Sequence, residues 1–361
     1  MPSGYGVVEM TPRHTNTRLF KRLRLLVGPL AVVGAVVLCG GSIAATAAPQ
    51  TIYVSASGSA EGSGSKTDPL SSIEGALTLA QPGDTIRVAA GTYREPLVTV
   101  RSGRRGARIT LAGDPGAQIE GNGSGRQIQI RNDYVTLRGF TISGADKLVW
   151  VEGAHEVRIE FNRLENGGGE CVRIKYLSTH VLVAHNRIGP CGLTGFNVAR
   201  HKKNGEGVYI GTDPGQLDRN PTQVPDASDA NTVSQNTIAT DAAECVDIKE
   251  AAERNQVIRN NCSNTRDPAG SGFNARGNFN TFRGNRSTGN TGAGIRFGGY
   301  GAGDGTGNSA VDNVFAGNGG FAFLIVRRPQ GRICGNALRR NVLGVSNVKG
   351  LRPSARCRPR R

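Results

Sequence analysis

The sequence predicts an all-β fold, a right-handed parallel β-helix (a solenoid) with a short capping helix at its N-terminal end. Two features recur together along the chain: a short β-rich segment followed by Asn, and a pair of apolar residues separated by one other residue. Helical periodicity is nearly absent after residue 81. Turns of about 24 residues cannot bury an apolar face alone, but stacked turns share one continuous core and pair their strands in parallel.

The recurring Asn residues set the length of one turn. They are Asn162, Asn186, Asn236, Asn261, Asn285 and Asn313, at intervals of 24, 50, 25, 24 and 28 residues. The interval of 50 residues indicates a turn that carries insertions. Asn side chains stacked at one corner can hydrogen-bond along the stack, so we interpret this column as structural rather than catalytic.

The apolar pairs mark a second strand in each turn. They are Ile128/Ile130, Val149/Val151, Val172/Ile174, Val208/Ile210, Val246/Ile248 and Ile295/Phe297. Alternation with a period of two residues, punctuated by Gly, Asn and Asp, is typical of short strands joined by turns. The side chain between the members of each pair therefore points away from the core.

The first 47 residues are predicted to be a signal peptide. Four basic residues precede an apolar run over 25–38, and Ala45-Thr46-Ala47 fits a cleavage site. The run is shorter than the roughly 18 residues of a spanning helix, so a retained signal anchor is the alternative and no membrane span is expected after cleavage. We therefore expect a secreted protein.

The remaining chain is predicted to have three parts. Residues 48–100 would form an N-terminal strand, the helix cap and the first turn. Residues 101–340 would form the parallel β-helix, and 341–361 a basic C-terminal tail.

Six cysteines follow residue 47, and an even number in an exported protein indicates disulfides. Their positions in successive turn regions predict three pairs: Cys171–Cys191, Cys245–Cys262 and Cys334–Cys357, the last of which would pin the basic tail. The sequence contains no CxxC or HExxH spacing, which argues against a structural zinc site or a thiol nucleophile.

The charge predicts an anionic partner. The full chain has a formal net charge of +16, and removal of residues 1–47 leaves about +12. Nucleic acid is not expected, because only 5% of residues are aromatic and no nucleic-acid-binding motif occurs. An acidic polysaccharide is the expected partner, and we expect a monomer.

Residues 69–81 break the β pattern. Ser71-Ser72-Ile73-Glu74 predicts a capping box, and four apolar residues share one helical face: Ile73, Ala76, Leu77 and Ala80. The segments YVSASGS (53–59) and DPLSSIEGALTLAQPGDTIRVAAGTYRE (68–95) resemble the start of pectate-lyase-like β-helix proteins, in which a strand, a capping helix and a turn open the solenoid. The resemblance extends over about 51–340 at the level of the fold.

One motif occurs twice, as ECVRIK from Glu170 to Lys175 and as ECVDIK from Glu244 to Lys249. Duplication by itself favours a structural role. Strand alternation predicts that Asp247 and Lys249 point to solvent. Stacking the turns predicts two outward columns, one with Arg173, Tyr209, Asp247, Asn274 and Arg296, the other with Lys175, Gly211, Lys249, Arg276 and Gly298.

The segment AECVDIKEAAERNQVIRNN (243–261) resembles part of the chondroitinase B-like and alginate lyases. Those enzymes place a calcium-ligand Glu five residues before a catalytic Lys, the spacing of Glu244 and Lys249, and an Arg of the following turn beside the Lys. The resemblance implies that Lys249 removes the proton α to a uronate carboxylate, that calcium on Glu244 neutralises this carboxylate, and that Arg276 holds it or the leaving oxygen. A Lys among cations can have a lowered pKa, which suits a base.

Further calcium ligands are harder to assign, because Ala242 stands where the resemblance implies a second acidic ligand. Glu206 and Asp213 are the remaining candidates. The loop 212–230 carries Asp213 and three other Asp residues and could also hold calcium, although a solvated loop is the simpler interpretation.

These residues predict a lyase that cleaves an acidic, uronate-containing polysaccharide by β-elimination. The predicted substrate contacts are Asp247, Tyr209, Asn274, Arg296, Arg173 and Lys175. The alternative is a non-catalytic cell-surface or matrix protein whose outward cations bind a polyanion. A hydrolase ranks lower because the outward columns lack a pair of Asp residues, and an epimerase because the DPHE-type segment of alginate epimerases is absent.

Overall fold

The structure is a computed structural model that describes residues 48–357. The predicted signal peptide, residues 1–47, lies outside the described residues. Within 48–357 the chain forms a right-handed parallel β-solenoid of about ten turns, which confirms the predicted fold. Each turn runs from sheet A to sheet B to sheet C and back, adding one strand to each sheet.

The described residues form three long parallel sheets. Sheet A contains Thr51–Ser59, Thr85–Val88, Ile109–Gly113, Val135–Arg138, Arg158–Glu160, Leu182–Ala184, Thr232–Ser234, Gln256–Ile258, Thr281–Arg283, Ser309–Val311 and Ile333–Cys334. Sheet B contains Gly91–Tyr93, Ala117–Glu120, Thr141–Ser143, Arg163–Glu165, Arg187–Ile188, Thr237–Ala239, Asn261–Ser263, Arg286–Thr288, Val314–Ala316 and Ala337–Arg339. Sheet C contains Leu97–Val98, Arg126–Ile130, Lys147–Glu152, Val172–Lys175, Val208–Ile210, Val246–Ile248, Ser271–Ala275, Ala293–Phe297 and Phe323–Ile325.

The predicted apolar pairs form the core side of sheet C. Val149, Val172 and Val208 are hydrogen-bonded in register, as are their partners two residues on, and all are fully buried. In the last turns the core is filled by phenylalanines, with Phe282 packed between Phe273 and Phe297 at ring-centroid distances of 5.9 and 5.7 Å. Because alternate side chains point to opposite faces, this register fixes which side chains point outwards.

The Asn column is a continuous ladder at the corner between sheets A and B. Each side-chain amide donates to a backbone carbonyl of the preceding turn, and each but the last also donates to the Asn Oδ1 of the next turn, at 2.9–3.1 Å. The members are Asn162, Asn186, Asn236, Asn260, Asn285, Asn313 and Asn336. The predicted position Asn261 is wrong by one residue. Asn260 turns inwards at this corner, whereas Asn261 is exposed at the start of the sheet B strand.

The other two corners also carry Asn side chains, which the sequence reading missed. Backbone N–H groups donate to Asn Oδ1 atoms along Asn231, Asn255, Asn280 and Asn308 between sheets C and A. A third set, Asn290, Asn318 and Asn341, lies between sheets B and C. Buried backbone groups at all three corners therefore have side-chain partners.

The predicted N-terminal helix spans Ile73–Leu79 and packs against the first strands. Its N-cap is Ser72, whose hydroxyl accepts from the Gly75 N–H at 3.0 Å. The predicted capping box is wrong, because Ser72 rather than Ser71 is the N-cap. The acidic partner at this end of the helix is Glu95, from the next turn, which accepts from the Ser72 hydroxyl at 2.9 Å and from the Ile73 N–H at 2.7 Å.

The 50-residue interval contains two insertions, as predicted. Residues 189–207 include an antiparallel hairpin, Phe196–Asn197 with Lys202–Lys203, and the short 3₁₀ helix Val198–Arg200. Residues 211–231 include the 3₁₀ helix Pro214–Arg219. Both insertions flank the sheet C strand Val208–Ile210, so they rise beside the outward face of sheet C.

Asp226 organises the second insertion. Its carboxylate is 1% exposed and accepts from the N–H groups of Tyr176 and Leu177, at 2.9 and 2.8 Å, and from the hydroxyls of Thr212 and Ser228, at 2.6 and 2.8 Å. The loop is thus anchored by a structural carboxylate rather than simply solvated.

The three predicted disulfides are present: Cys171–Cys191, Cys245–Cys262 and Cys334–Cys357. The segment after residue 340 is not a free tail up to residue 357. The carbonyls of Gly344 and Val345 accept from the N–H groups of Ala322 and Phe323, each at 3.0 Å. This segment therefore covers the last strand of sheet C. Among residues 48–357, no helix is long and apolar enough to cross a membrane.

Replacement of Asn260 by Ala should destabilise the solenoid far more than replacement of Asn261. Asn260→Ala removes an amide that donates at 2.8 Å to the Val233 carbonyl, and it removes the Oδ1 that accepts from both the side-chain amide and the backbone N–H of Asn236, at 2.9 and 3.0 Å. We expect a loss of about 3 kcal/mol in the free energy of unfolding, because buried polar groups are left unpaired. The exposed Asn261→Ala should cost less than about 0.5 kcal/mol. Urea unfolding with disulfides intact measures both, and equal losses would contradict the assignment.

Candidate functional site

A cleft of about 680 Å³ lies on the outward face of sheet C. Its floor is formed by the outward side chains of successive strands. The insertions 189–207 and 211–231 and the loop 298–308 contribute further lining residues, among them Lys203, Asp213 and Tyr300. The cleft thus lies where the sequence predicted two outward columns.

The predicted first column is confirmed by the strand register, in which Arg173 pairs with Tyr209, Tyr209 with Asp247, and Asp247 with Asn274. Arg296 follows Asn274. The prediction that these side chains are solvent-exposed is wrong. Asp247 is 2% exposed and Lys249 7%, because the loops beside sheet C cover an outward face that would otherwise be open.

Lys249 lies among acidic and aromatic groups. Its Nζ is 2.8 Å from Asp247 Oδ2, 3.8 Å from Asp213 Oδ2 and 4.6 Å from the centre of the Tyr209 ring. Burial would lower the pKa of this ammonium, but the surrounding groups, chiefly the carboxylate of Asp247 with Tyr209 and Glu206, together outweigh burial and raise the pKa above its ordinary value. The predicted lowering of the Lys249 pKa is therefore wrong, and the group is charged in this state.

Arg276 meets Lys249 at a common carboxylate. Its Nη1 is 3.2 Å from Asp213 Oδ2, and its Nε is 3.2 Å from Glu250 Oε1. The guanidinium lies 4.2 Å from the centre of the Tyr300 ring, and the Tyr300 hydroxyl is 3.4 Å from the same Asp213 oxygen. Asp213 is therefore an ion-pair partner of both Lys249 and Arg276, the two predicted catalytic residues.

Three carboxylates form an acidic cluster in the same cleft: Glu206, Glu244 and Asp247, each with an oxygen within 4.8 Å of the others. The strand that follows begins at Val246 and the chain bends at Cys245, so Glu244 escapes the inward position that strict alternation would give it. Asp213 lies outside this cluster, and Asp247, predicted as a substrate contact, lies within it.

The cluster has the properties of a cation site. Burial, with the neighbouring charge of Glu170, raises the pKa of Glu206 to about 8, and burial, with Asp247, raises the pKa of Glu244 to about 7. Asp247 Oδ1 is buried and has no hydrogen-bond partner among the described residues. Three converging carboxylates suit a hard divalent cation, which takes oxygen ligands.

The first copy of the motif is built differently. Glu170 is 1% exposed and forms ion pairs with Lys147, at 2.5 Å, and with Arg173. Burial would raise the pKa of Glu170, but Arg173 and Lys147 outweigh burial and lower it. The position of Arg173 in the first copy is occupied by Asp247 in the second. The duplicated backbone therefore presents a basic cluster in one turn and an acidic cluster two turns later.

Trp150 precedes Arg173 in the same column, and the column reading of the sequence does not include it. It pairs with Arg173 in register and lies between Val149 and Val151, so extending the column by one turn would have found it. The Arg126 guanidinium lies 3.7 Å from the centre of its ring, and the Lys175 ammonium 5.2 Å. Burial and the charge of Arg173 lower the pKa of Lys175 to about 8.

Asn274 and Arg296 line the other end of the cleft. Arg296 Nη1 donates to Asn274 Oδ1 at 3.2 Å. Burial and the nearby charge of Arg276 lower the pKa of Arg296. Both predicted substrate contacts thus line the cleft.

Comparison with known proteins confirms the resemblance inferred from the opening segment. Residues 52–213 match the family model described as the Pel9A-like right-handed β-helix region. The match covers less than half of the chain and ends before the second copy of the motif. No curated protein sequence matches the chain.

Several solved structures have a similar fold. An alginate lyase from Paenibacillus sp. str. FPU-7 is 21% identical, with a TM-score of 0.62 over 82% of this chain and 99% of that chain. Pectate lyase Pel9A is 15% identical, with a TM-score of 0.61 over 82% and 78%. A glycoside hydrolase is 8% identical, with a TM-score of 0.53 over 82% and 97%. At these identities the likeness shows the fold alone, which hosts more than one reaction.

Neutralising Glu170 should unfold the basic half of the cleft. Glu170→Gln leaves the buried side chain of Arg173 and the partly buried side chain of Lys147 without their common carboxylate. We expect a loss of about 3–5 kcal/mol in the free energy of unfolding. The control is Asp146→Asn, which removes a half-exposed partner of Lys147 at 3.0 Å and should cost less than about 1 kcal/mol. Similar losses in the two variants would contradict a buried network centred on Glu170.

Proposed function

We propose that this chain is a secreted lyase that cleaves an acidic, uronate-containing polysaccharide by β-elimination. One observation carries the proposal: Lys249 and Arg276 meet at Asp213 in a cleft that also holds the cluster of Glu206, Glu244 and Asp247. A base, a cationic group for the substrate and a carboxylate set for a cation are the components that this elimination needs.

Secretion is supported by the three disulfides, which persist in oxidising compartments, and by the signal sequence predicted in residues 1–47. The cleft also carries cationic side chains along its length, from Arg126 at one end to Arg296 at the other. Such a surface attracts a polymer with a negative charge on each unit.

In the proposed reaction, the neutral amine of Lys249 accepts the C5 proton of a uronate unit. The C4–O bond breaks as the C4=C5 double bond forms, and the leaving oxygen takes up a proton from water, while Lys249 later returns the C5 proton to solvent. Arg276 holds the substrate carboxylate or the leaving oxygen, and Asp213 positions both cations through its ion pairs. Asp247 is the partner that Lys249 must release before it can act as a base.

We also propose that Glu206, Glu244 and Asp247 hold a calcium ion. When bound, calcium would supply charge that neutralises the substrate carboxylate and makes the C5 proton more acidic. Two observations support this choice of ligands. Asp247 Oδ1 is buried without a hydrogen-bond partner among the described residues, and the pKa values of Glu206 and Glu244 are raised.

A second candidate function is a non-catalytic protein that binds polyanions. The observation in its favour is the Lys249–Asp247 pair, because it keeps Lys249 charged, as a binding protein requires and a base does not. Replacement by Arg separates the two functions, since Arg keeps the charge but cannot become neutral near physiological pH.

Lys249→Ala and Lys249→Arg should both lower kcat/KM by about a thousandfold, because the base is lost in each. The measurement is the ultraviolet absorbance of the unsaturated uronide, with pectate, alginate, chondroitin and heparan as substrates and Lys202→Ala as an exposed control. A wild-type protein that releases no product on any of these polymers, but binds one as tightly as its Lys249→Arg variant does, would establish the binding function instead.

Calcium should bind to the acidic cluster and stabilise the folded chain. We expect Glu244→Gln and Asp247→Asn to weaken Ca²⁺ binding at least about tenfold, since each removes a charged oxygen ligand. Asp213→Asn should leave the affinity within about twofold, because Asp213 lies outside the cluster. Calorimetric titration of metal-free protein measures all three. Loss of binding in Asp213→Asn and Glu244→Gln, but not in Asp247→Asn, would restore the ligand set predicted from the sequence.

A further inference from the structure

Lys175 is a buried cation without an ionic partner. Its side chain lies in the basic half of the cleft and the residue is 3% exposed. Its Nζ lies 4.0 Å from the centre of the Tyr176 ring and 5.2 Å from that of Trp150. In the chain from 48 to 357, no carboxylate forms a salt bridge with it.

The acids nearest to Lys175 are already engaged. Glu152 pairs with Arg126, at 3.5 Å, and Arg131, at 2.5 Å, and accepts from the Trp150 indole N–H at 2.7 Å. Asp226, from the second insertion, uses both oxygens for two backbone N–H groups and two hydroxyls.

The cations around Trp150 therefore differ in kind. Arg126 and Arg173 each have a carboxylate, whereas Lys175 has only two aromatic faces. A buried charge without a counter-ion is costly, and the cost shows in the pKa of Lys175, which burial and the repulsion of Arg173 lower to about 8. An anion that enters the cleft would remove this cost.

The position of Lys175 relative to Lys249 is set by the stack. Lys175, Gly211 and Lys249 follow the registered pairs of three consecutive sheet C strands, so Lys175 and Lys249 are two strand spacings, or about 10 Å, apart along the axis. Gly211 places no side chain between them. A Cβ on Gly211 would lie 3.3 Å from the Cβ of Lys249, and its φ of +85° also favours glycine.

We propose that the Lys175 ammonium is a second anion-binding subsite, which holds the carboxylate of a uronate unit about one disaccharide length from the unit at Lys249. Trp150 and Tyr176 form its walls. The identity of the ligand, a uronate carboxylate, rests on the proposed function. The subsite itself explains why the Lys175 ammonium is buried without an acidic partner among the described residues. It makes a substrate longer than one disaccharide the preferred ligand.

The test measures the affinity of the mature protein for defined oligosaccharides of galacturonate and of alginate by calorimetry. At neutral pH, Lys175→Gln should weaken binding of a tetrasaccharide about tenfold, the effect of losing one charge-assisted contact. The change in disaccharide affinity should be less than about twofold, since a disaccharide at Lys249 does not reach Lys175. Lys202→Gln, on the exposed hairpin, should bind like wild type.

The pH dependence separates an ionic role from a structural one. Lys175 faces Arg173, Arg126, Glu152 and Asp226. Its ammonium loses its proton as the pH rises through about 8, so the tetrasaccharide affinity of the wild type should fall from neutral pH to about pH 9.5. Lys175→Arg stays charged and should show a shallower fall. Equal pH profiles for wild type and Lys175→Arg would overturn the subsite, as would unchanged tetrasaccharide affinity in Lys175→Gln.

The subsite and the lyase reaction are separate proposals, and different outcomes contradict each of them. Lys175-dependent binding without any unsaturated product would leave the subsite standing and remove the lyase. Product formation by a Lys175→Gln variant whose KM for the polymer equals that of wild type would retain the lyase and overturn the subsite.

Discussion

Hydrogen bonding between successive turns is the constraint on which this molecule depends. A strand of three residues has too few contacts to be stable alone, but here each strand donates and accepts along the whole length of its neighbours above and below. The Asn side chains continue the same bonding around the corners, where the backbone leaves the sheets. Because each turn fixes the position of the next, a side chain's place on the surface follows from its place in the repeat.

The cleft is a direct consequence of this regularity. Outward side chains on neighbouring turns stand about one strand spacing apart, a distance at which unlike charges pair and like charges conflict. The molecule resolves the conflict in two ways. Carboxylates such as Glu170 and Asp213 each hold two cations, and aromatic rings separate others, as Tyr209 does between Arg173 and Lys249.

The repeat made the fold and the outward columns predictable from the sequence, because apolar alternation and parallel stacking are local rules. The pattern alone does not say which of two adjacent Asn residues turns inwards, so it predicts Asn261 where the structure has Asn260. The burial of the columns was not predictable, since it depends on insertions with no repeat of their own. The sequence predicts Asp213 as a calcium ligand and Asp247 as a substrate contact, whereas Asp247 lies in the acidic cluster and Asp213 pairs with cations. This difference has the same origin, because Asp213 belongs to an insertion whose folded path brings it to Arg276.

The repeat itself does not end a solenoid. The strands of the last turn have the same unpaired backbone N–H and C=O groups that, in every earlier turn, pair with the next turn. Here the edge of sheet C is covered by residues 344–347, and residues 353 and 355 cover the corner between sheets A and B. The Cys334–Cys357 disulfide ties this cover to the final strand of sheet A. Within the described residues, this cover pairs backbone N–H groups that the last strand of sheet C would otherwise leave open to a strand of another molecule.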